Sequence, residues 1–151
     1  LGRLTGNPKH FLADPALAVA LLNIDEDMLL AGREVGPAIP RNGSLLGALF
    51  EALIALDVRV YAQAAEAHVG HLRTSSGARE IDFIVTGPGN RVLGIEVKLS
   101  ATVNAGDVRH LLWLRDQLGP DLVDMVVVTT GTDAYRRPDG VAVVPAVLLG
   151  P

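Results

Sequence analysis

Two carboxylates and one amine are placed along this sequence so that they can meet in space. Glu96 and Lys98 stand two residues apart in an apolar segment, and the side chains of a β-strand alternate between its two faces. Both side chains are therefore expected on one face. Asp82 lies in the preceding apolar segment, which is joined to this one through the turn 87–91. Two carboxylates on neighbouring strands suit a hard cation such as Mg²⁺ or Mn²⁺, and the ammonium can hold a water beside it.

The lysine in this group is unusual for the chain. Of the thirteen basic residues eleven are arginine, and only Lys9 and Lys98 are lysine. A compact ammonium can approach a water molecule and can shift its pKa, which a guanidinium cannot. The same spacing is also compatible with a plain ion pair between Glu96 and Lys98 on a half-exposed strand. The two residues alone do not separate these interpretations.

The composition is that of a globular domain with a core of its own. The 151 residues are 49% hydrophobic and 20% charged, and they include no cysteine, which excludes disulfides and thiolate metal sites. No apolar run is long enough to cross a membrane, so we expect no membrane partner and a cytoplasmic location. The net charge of −4 argues against a uniformly basic nucleic-acid binder, so a nucleic-acid partner would need a local basic patch.

Turn residues divide the chain into segments with either helical or strand periodicity. Apolar residues at three- and four-residue spacing predict helices over residues 15–24, 44–57 and 104–118. Alternating and β-branched segments predict strands over residues 66–74, 80–86, 91–99, 125–130 and 141–149. Residues 31–43 contain three Gly and two Pro and are expected to form a loop.

The order of these segments predicts an α/β fold with a mixed sheet. Short turns join the first three strands, which therefore form an antiparallel meander, whereas the helix 104–118 allows the strand 125–130 to pair in parallel. We predict an αβββαβ core within residues 44–151, followed by the further strand 141–149. An extra N-terminal helix and a loop, within residues 1–43, are expected to pack on this core.

The positions of the acidic residues within this order resemble those of the PD-(D/E)XK nuclease superfamily. Glu51 falls on the first core helix, Asp82 on the second strand, and Glu96 and Lys98 on the third. The proline that usually precedes the aspartate in that superfamily is absent, since Ile81 stands there. The resemblance implies a restriction-endonuclease-like arrangement of the αβββαβ core.

A closer resemblance is to the C-terminal domain of uncharacterised prokaryotic AAA-type ATPases, which is a domain of unknown function. It spans about residues 8 to 149 and rests on the motifs Gly47-x-x-Phe50-Glu51, His71-x-Arg73-Thr74, Arg79-Glu80-Ile81-Asp82-Phe83-Ile84 and Gly94-Ile95-Glu96-Val97-Lys98. The resemblance implies that an AAA-type ATPase part precedes this chain, which begins at Leu1, and that ATP binds only to that part. Residues 1–43 would then include the connection between the two.

The resemblance further implies metal-dependent hydrolysis of a nucleic acid, with DNA favoured over RNA. Asp82, Glu96 and the backbone carbonyl of Val97 would bind Mg²⁺ or Mn²⁺. Lys98 would orient and polarise the attacking water. Glu51 would contact a second metal ion or its water, although a solvated position on its helix is nearly as compatible with the sequence.

The sequence is also compatible with a second function for the whole domain. The domain can keep the nuclease fold without cutting, and serve the attached ATPase as a regulatory or docking module. A cleft open to solvent beside Asp82, Glu96 and Lys98 would favour the nuclease, and a filled one would favour the module.

Basic and aromatic side chains near these segments also have open roles. Three arginines can line a phosphate groove or simply be solvated or salt-bridged, namely Arg73, Arg109 and Arg115. His110 and Trp113 lie on one side of the helix 104–118 and are expected to cover the sheet.

Overall fold

The computed structural model describes residues 10–11, 13–30, 45–74 and 77–150. Its α-helices over these residues are Pro15–Leu21 (α1), Glu26–Leu30 (α2), Leu45–Ala64 (α3) and Ala105–Leu118 (α4). Its strands are His68–Arg73 (β1), Glu80–Thr86 (β2), Val92–Lys98 (β3), Leu122–Thr129 (β4), Tyr135–Arg136 (β5) and Ala142–Pro145 (β6). The predicted loop 31–43 and the helix start at Ser44 lie outside the described residues.

All these strands belong to a mixed sheet with the order β1-β2-β3-β4-β6-β5. The strands β1, β2 and β3 pair antiparallel in sequence order, as the short connections predict. The strand β4 pairs with β3 in parallel after the α4 crossover, and β6 pairs in parallel with β4. The predicted mixed α/β architecture, with a meander and a parallel crossover strand, is therefore confirmed.

The two long helices cover opposite faces of the sheet. One buried cluster joins α4 to one face and contains Val108, Leu111 and Leu114 together with Ile81 and Val127. A second cluster joins α3 to the sheet and is formed by Ile54, Ala55, Val58, Phe83, Ile95 and Val128. Because consecutive residues of a strand face opposite sides, the membership of Val127 and Val128 in different clusters separates the two layers.

The helix α3 is longer than the sequence pattern predicted. The predicted end near Asp57 is wrong, because buried residues continue at four-residue spacing with Val58 and Ala62. The helix stops where Glu66 adopts a left-handed backbone with φ of 53°, and where the amide of Ala67 donates to the carbonyl of Ala62 at 2.8 Å.

The helix α4 begins and ends where its terminal residues predict. The Asn104 side chain accepts a hydrogen bond from the amide of Gly106 at 2.8 Å, and the Asp107 carboxylate accepts one from the amide of Asn104 at 2.8 Å. This reciprocal capping satisfies amides that the first helical turn leaves unpaired. The helix ends at Leu118, before Gly119 with its positive φ of 53°.

Two other predicted elements have different limits. The strand predicted over 141–149 ends at Pro145 and is followed by the 3₁₀ turn Ala146–Leu148, since proline has no amide hydrogen to continue a ladder. The N-terminal helix ends at Leu21, close to Asn23 with a φ of 52°. No helix within the described ranges is both long and apolar enough to cross a membrane.

Candidate active site

Glu96 and Lys98 lie together on the face of β3 that α4 covers. The Lys98 Nζ is 2.9 Å from the Glu96 Oε2, so the two side chains form an ion pair. Val97 lies between them in the sequence and Ile95 precedes Glu96, and both pack into the cluster under α3 on the other face. Regular alternation along β3 therefore places the acid and the amine on one face, as the sequence predicts.

The Asp82 side chain, on β2, contacts the backbone of the neighbouring strand β3. The amide of Val97 donates a hydrogen bond to the Asp82 Oδ2 at 2.9 Å. This hydrogen bond to the main chain of β3 fixes the Asp82 carboxylate beside the strand that carries Glu96. Because the amide of Val97 points towards β2, its carbonyl leaves the strand on the same side.

A β-bulge in β2 accompanies this placement of Asp82. The register passes from Gly70 paired with Ile84 to Leu72 paired with Ile81, so β2 contains one more residue than β1 across this step. Regular alternation would put Ile81 and Phe83 on one face, but they belong to the clusters on opposite faces. The extra residue thus lies at Asp82–Phe83, and bulges of this kind redirect side chains.

The Glu96 carboxyl is in an environment that disfavours its charge. Its residue is only 4% exposed, and its Oε1 is buried without a hydrogen-bond partner among the described residues. Burial and then the Asp82 carboxylate raise the pKa of Glu96 to about 8, although Lys98 acts in the opposite direction. Two crowded carboxyl groups with an unused buried oxygen are the arrangement that a bound cation would stabilise.

The Lys98 side chain is partly open to solvent and remains a cation. Burial acts to lower its pKa, but the Glu96 carboxylate, with smaller effects of Asp82 and Asp107, makes the net shift upward. The Lys98 side chain is 31% exposed, compared with 5% for that of Glu96. The amine is therefore the accessible member of the pair.

His110 of α4 lies over the carboxylates, which the sequence did not reveal. Its Nδ1 is 4.0 Å from the Glu96 Oε1 and 2.7 Å from the carbonyl oxygen of Glu80. The Nε of Arg109 donates to the His110 Nε2 at 2.9 Å, so the proton of the neutral ring is on Nδ1 and is donated to Glu80. The 3.4 Å approach of the Glu80 amide to that same nitrogen then makes no hydrogen bond.

Glu51 lies on a different layer from the other predicted site residues. It is half-buried on α3, which packs on the face of the sheet opposite to Glu96 and Lys98. Its expected contact with a second metal ion stays a prediction.

Asp82 and Glu96 are the residues of this site that could hold a metal ion, provided that the ion keeps other ligands. Within the described part of the chain, no group of three or more His, Cys, Asp or Glu side chains is placed to hold a metal ion. Mg²⁺, however, is usually held by one or two carboxylates together with waters and substrate phosphates. Asp82 and Glu96 match that smaller set, with the Val97 carbonyl on the same side of β3.

A separate surface groove lies away from this site. It has a volume of about 500 Å³ and is lined by residues at the end of α3 and the beginning of β1, namely Arg59, Gln63, Glu66, Ala67, His68 and Val69. None of the predicted site residues lines it, so its volume does not bear on the chemistry of the carboxylates.

The fold and this site define an α/β domain that carries two crowded carboxyl groups and an amine on one face of a mixed sheet. Residues 46–149 match the model of a family described as a domain of unknown function, DUF4143. This match covers well over half of the chain, and the chain belongs to that family. No curated protein matches the chain.

Proposed function

We propose that this domain hydrolyses phosphodiester bonds of nucleic acid with the help of Mg²⁺ or Mn²⁺, on a restriction-endonuclease-like core. The main support is the buried Glu96 carboxyl, whose Oε1 has no hydrogen-bond partner among the described residues and whose pKa is raised to about 8. Burying a carboxyl oxygen without a hydrogen-bond partner costs free energy that a purely structural group would not be expected to carry. Such strongly shifted groups are concentrated at functional sites.

Each residue of the site has a distinct part in this proposal. Asp82, Glu96 and the Val97 carbonyl would hold the metal ion, which supplies stabilisation of charge on the phosphate and a more acidic water. The Asp82 carboxylate is fixed for this by the amide of Val97. The Lys98 ammonium, 31% exposed beside the carboxylates, orients the water that attacks phosphorus.

A preceding ATPase part would supply the affinity for nucleic acid that this acidic domain lacks. The chain carries a net charge of −4, so it releases few counterions when it meets a nucleic acid. We propose that the AAA-type part implied by the sequence resemblance captures the substrate or activates the domain. A protein that includes both parts should then cleave faster with ATP than residues 1–151 alone.

One observation favours a second candidate function, that of a nuclease-fold module without activity. The Lys98 amine is already paired with the Glu96 carboxylate at 2.9 Å, and Glu96 is 4% exposed under α4. If this ion pair persists in the presence of metal and substrate, the site is a structural link. The domain would then regulate or dock the attached ATPase.

A cleavage assay with isosteric variants separates the two functions. Wild type, Asp82→Asn and Glu96→Gln are incubated with single-stranded DNA, duplex DNA and RNA in Mg²⁺ or Mn²⁺, with Asp116→Asn as the control. Asp116 is an exposed carboxylate on α4 whose partner is Arg115, so its loss should not change cleavage. We expect metal-dependent cleavage by wild type and the control, and none by the other two. Cleavage by all four proteins would contradict the site, and cleavage by none would favour the inactive module.

A further inference from the structure

Two arginine side chains contact aromatic rings of α4. The Arg79 guanidinium carbon is 5.6 Å from the centroid of the Trp113 ring, and the Arg109 Nε donates to the His110 Nε2 at 2.9 Å. Arg109, His110 and Trp113 are three or four residues apart on the helix or adjacent to one another, so they share one region of its surface. The 2.7 Å contact between His110 and the carbonyl of Glu80 brings the start of β2, and with it Arg79, to that region.

These two guanidinium groups keep their charge uncompensated. Four of the eight described arginines pair with carboxylates, in the pairs Arg73–Glu80, Arg115–Asp116, Arg136–Asp124 and Arg137–Asp139. Within the described ranges neither Arg79 nor Arg109 has a carboxylate partner. An aromatic ring and an imidazole nitrogen orient them instead, which leaves the remaining N–H donors of each group for an anion. This is a basic patch on a chain whose net charge is −4.

The patch borders the candidate active site directly. His110 contacts Arg109 through its Nε2 and lies 4.0 Å from the Glu96 Oε1 through its Nδ1. The imidazole therefore stands between the exposed guanidinium and the buried carboxyl. A chain of phosphates that crosses the patch would continue towards Glu96 and the accessible amine of Lys98.

We propose that the surface formed by Arg79, Arg109, His110 and Trp113 binds the backbone of single-stranded DNA and leads it to the carboxylate site. Two guanidinium groups neutralise about two phosphates, so the contact is short and suits a flexible strand. Glu96 is 4% exposed, so a strand must bend towards it, and a single strand bends at lower cost than a stiff duplex. This inference rests on the proposed function and names its substrate.

Binding without metal tests this surface independently of cleavage. Fluorescence anisotropy of a labelled DNA single strand is measured in EDTA over a series of salt concentrations. We expect Arg79→Gln and Arg109→Gln each to weaken binding and to reduce the slope of log K against log salt by about 0.7, the value for one phosphate contact on a single strand. A duplex of equal length should bind more weakly. The matched control is Arg91→Gln, which removes an exposed arginine beyond the opposite end of β3 and should leave both quantities unchanged.

The possible outcomes distinguish this surface from the proposed function. Unchanged affinity and slope in both variants, with metal-dependent cleavage intact, would overturn the surface while the nuclease stands. Loss of binding in both, without any cleavage by wild type, would support the surface and reject the nuclease. If Arg91→Gln weakened DNA binding as much as the other two variants, the effect would be one of general charge and the proposal would be overturned. The same holds if polyglutamate displaced the labelled strand as well as unlabelled single-stranded DNA does.

Discussion

At the scale of single residues, Glu96 combines burial with proximity to a second acid. Its pKa rises from its usual 4.5 to about 8 because it is desolvated and then because Asp82 is close. The folded protein therefore holds the protonated form more tightly than the unfolded chain does. The contribution of Glu96 to the free energy of unfolding is therefore largest below about pH 4.5, falls as the pH rises to about 8, and stays constant above that.

We expect Glu96→Gln to stabilise the protein at pH 8 and to have little effect near pH 4.5. Glutamine keeps the shape of the side chain but cannot ionise, so it avoids the cost that wild type meets in this window. Each unit of pKa shift corresponds to about 1.4 kcal/mol, and loss of the Lys98 contact offsets part of the gain, so a difference on the order of 2 kcal/mol is expected at pH 8. Urea unfolding of both proteins at the two pH values measures it. A variant that is less stable than wild type at pH 8 would contradict the environment described for Glu96.

The role of Lys98 can be separated from its charge. Lys98→Ala should lose cleavage yet still bind the metal ion, because the amine is not a ligand of that ion. Lys98→Arg should recover little activity, since a planar fork cannot take the place of a compact ammonium beside a water. Single-turnover cleavage rates for the three proteins, with metal binding measured in parallel, provide the test. Full activity of Lys98→Arg would mean that positive charge alone suffices.

At the scale of elements, the position of α4 depends on a close approach to β3. A Cβ built on Gly94 would lie 3.0 Å from the Cδ2 atoms of both Leu111 and Leu114. These leucines are 0% and 2% exposed, so the packed core leaves them little room to move. The glycine thus sets the distance at which α4, with Arg109 and His110, lies over the carboxylates.

We expect Gly94→Ala to destabilise the domain by about 1–3 kcal/mol, which is the usual cost of overpacking a core. Gly70→Ala is the matched control, because a Cβ there would meet the carbonyl oxygen of Ile84 only at 3.9 Å. Its effect should stay within about 0.5 kcal/mol. Thermal unfolding of both variants decides the matter, and an equal effect of the two substitutions would show that α4 adjusts freely.

The sequence predicts those parts of the site that depend on local pattern alone. Glu96 and Lys98 share a face because β3 is regular, and α4 has the limits that Asn104 and Gly119 indicate. The orientation of Asp82 depends on a bulge, which arises from pairing with β1. Local alternation does not contain that information.

Other differences have the same origin in tertiary packing. The proximity of His110 to Glu96 depends on how α4 is rotated on the sheet, which its amphipathic pattern defines only to within a broad stripe. The two-residue strand Tyr135–Arg136 is too short to show a periodicity in the sequence, and only its pairing with β6 defines it. In each case a contact distant in sequence decides the outcome.

At the scale of the whole molecule, charge is distributed unevenly over an acidic domain. Half of the eight described arginines pair with carboxylates, whereas Arg79 and Arg109, which contact Trp113 and His110 of α4, have no carboxylate partner among the described residues. A substrate phosphate and a metal ion together would balance the crowded carboxylates and these cations. The central question about this molecule is therefore whether the Asp82–Glu96 pair holds a divalent cation.

Calorimetric titration of Mn²⁺ into the protein tests this centre most directly. Wild type, Asp82→Asn, Glu96→Gln and the control Asp116→Asn are compared at pH 8. Asp82→Asn and Glu96→Gln each replace a carboxylate by a neutral amide of nearly the same shape. Too little negative charge then remains to offset the dehydration of the ion. We predict weak one-site binding to wild type and the control, and none to Asp82→Asn or Glu96→Gln. Equal binding to all four proteins would contradict a metal site at Asp82 and Glu96.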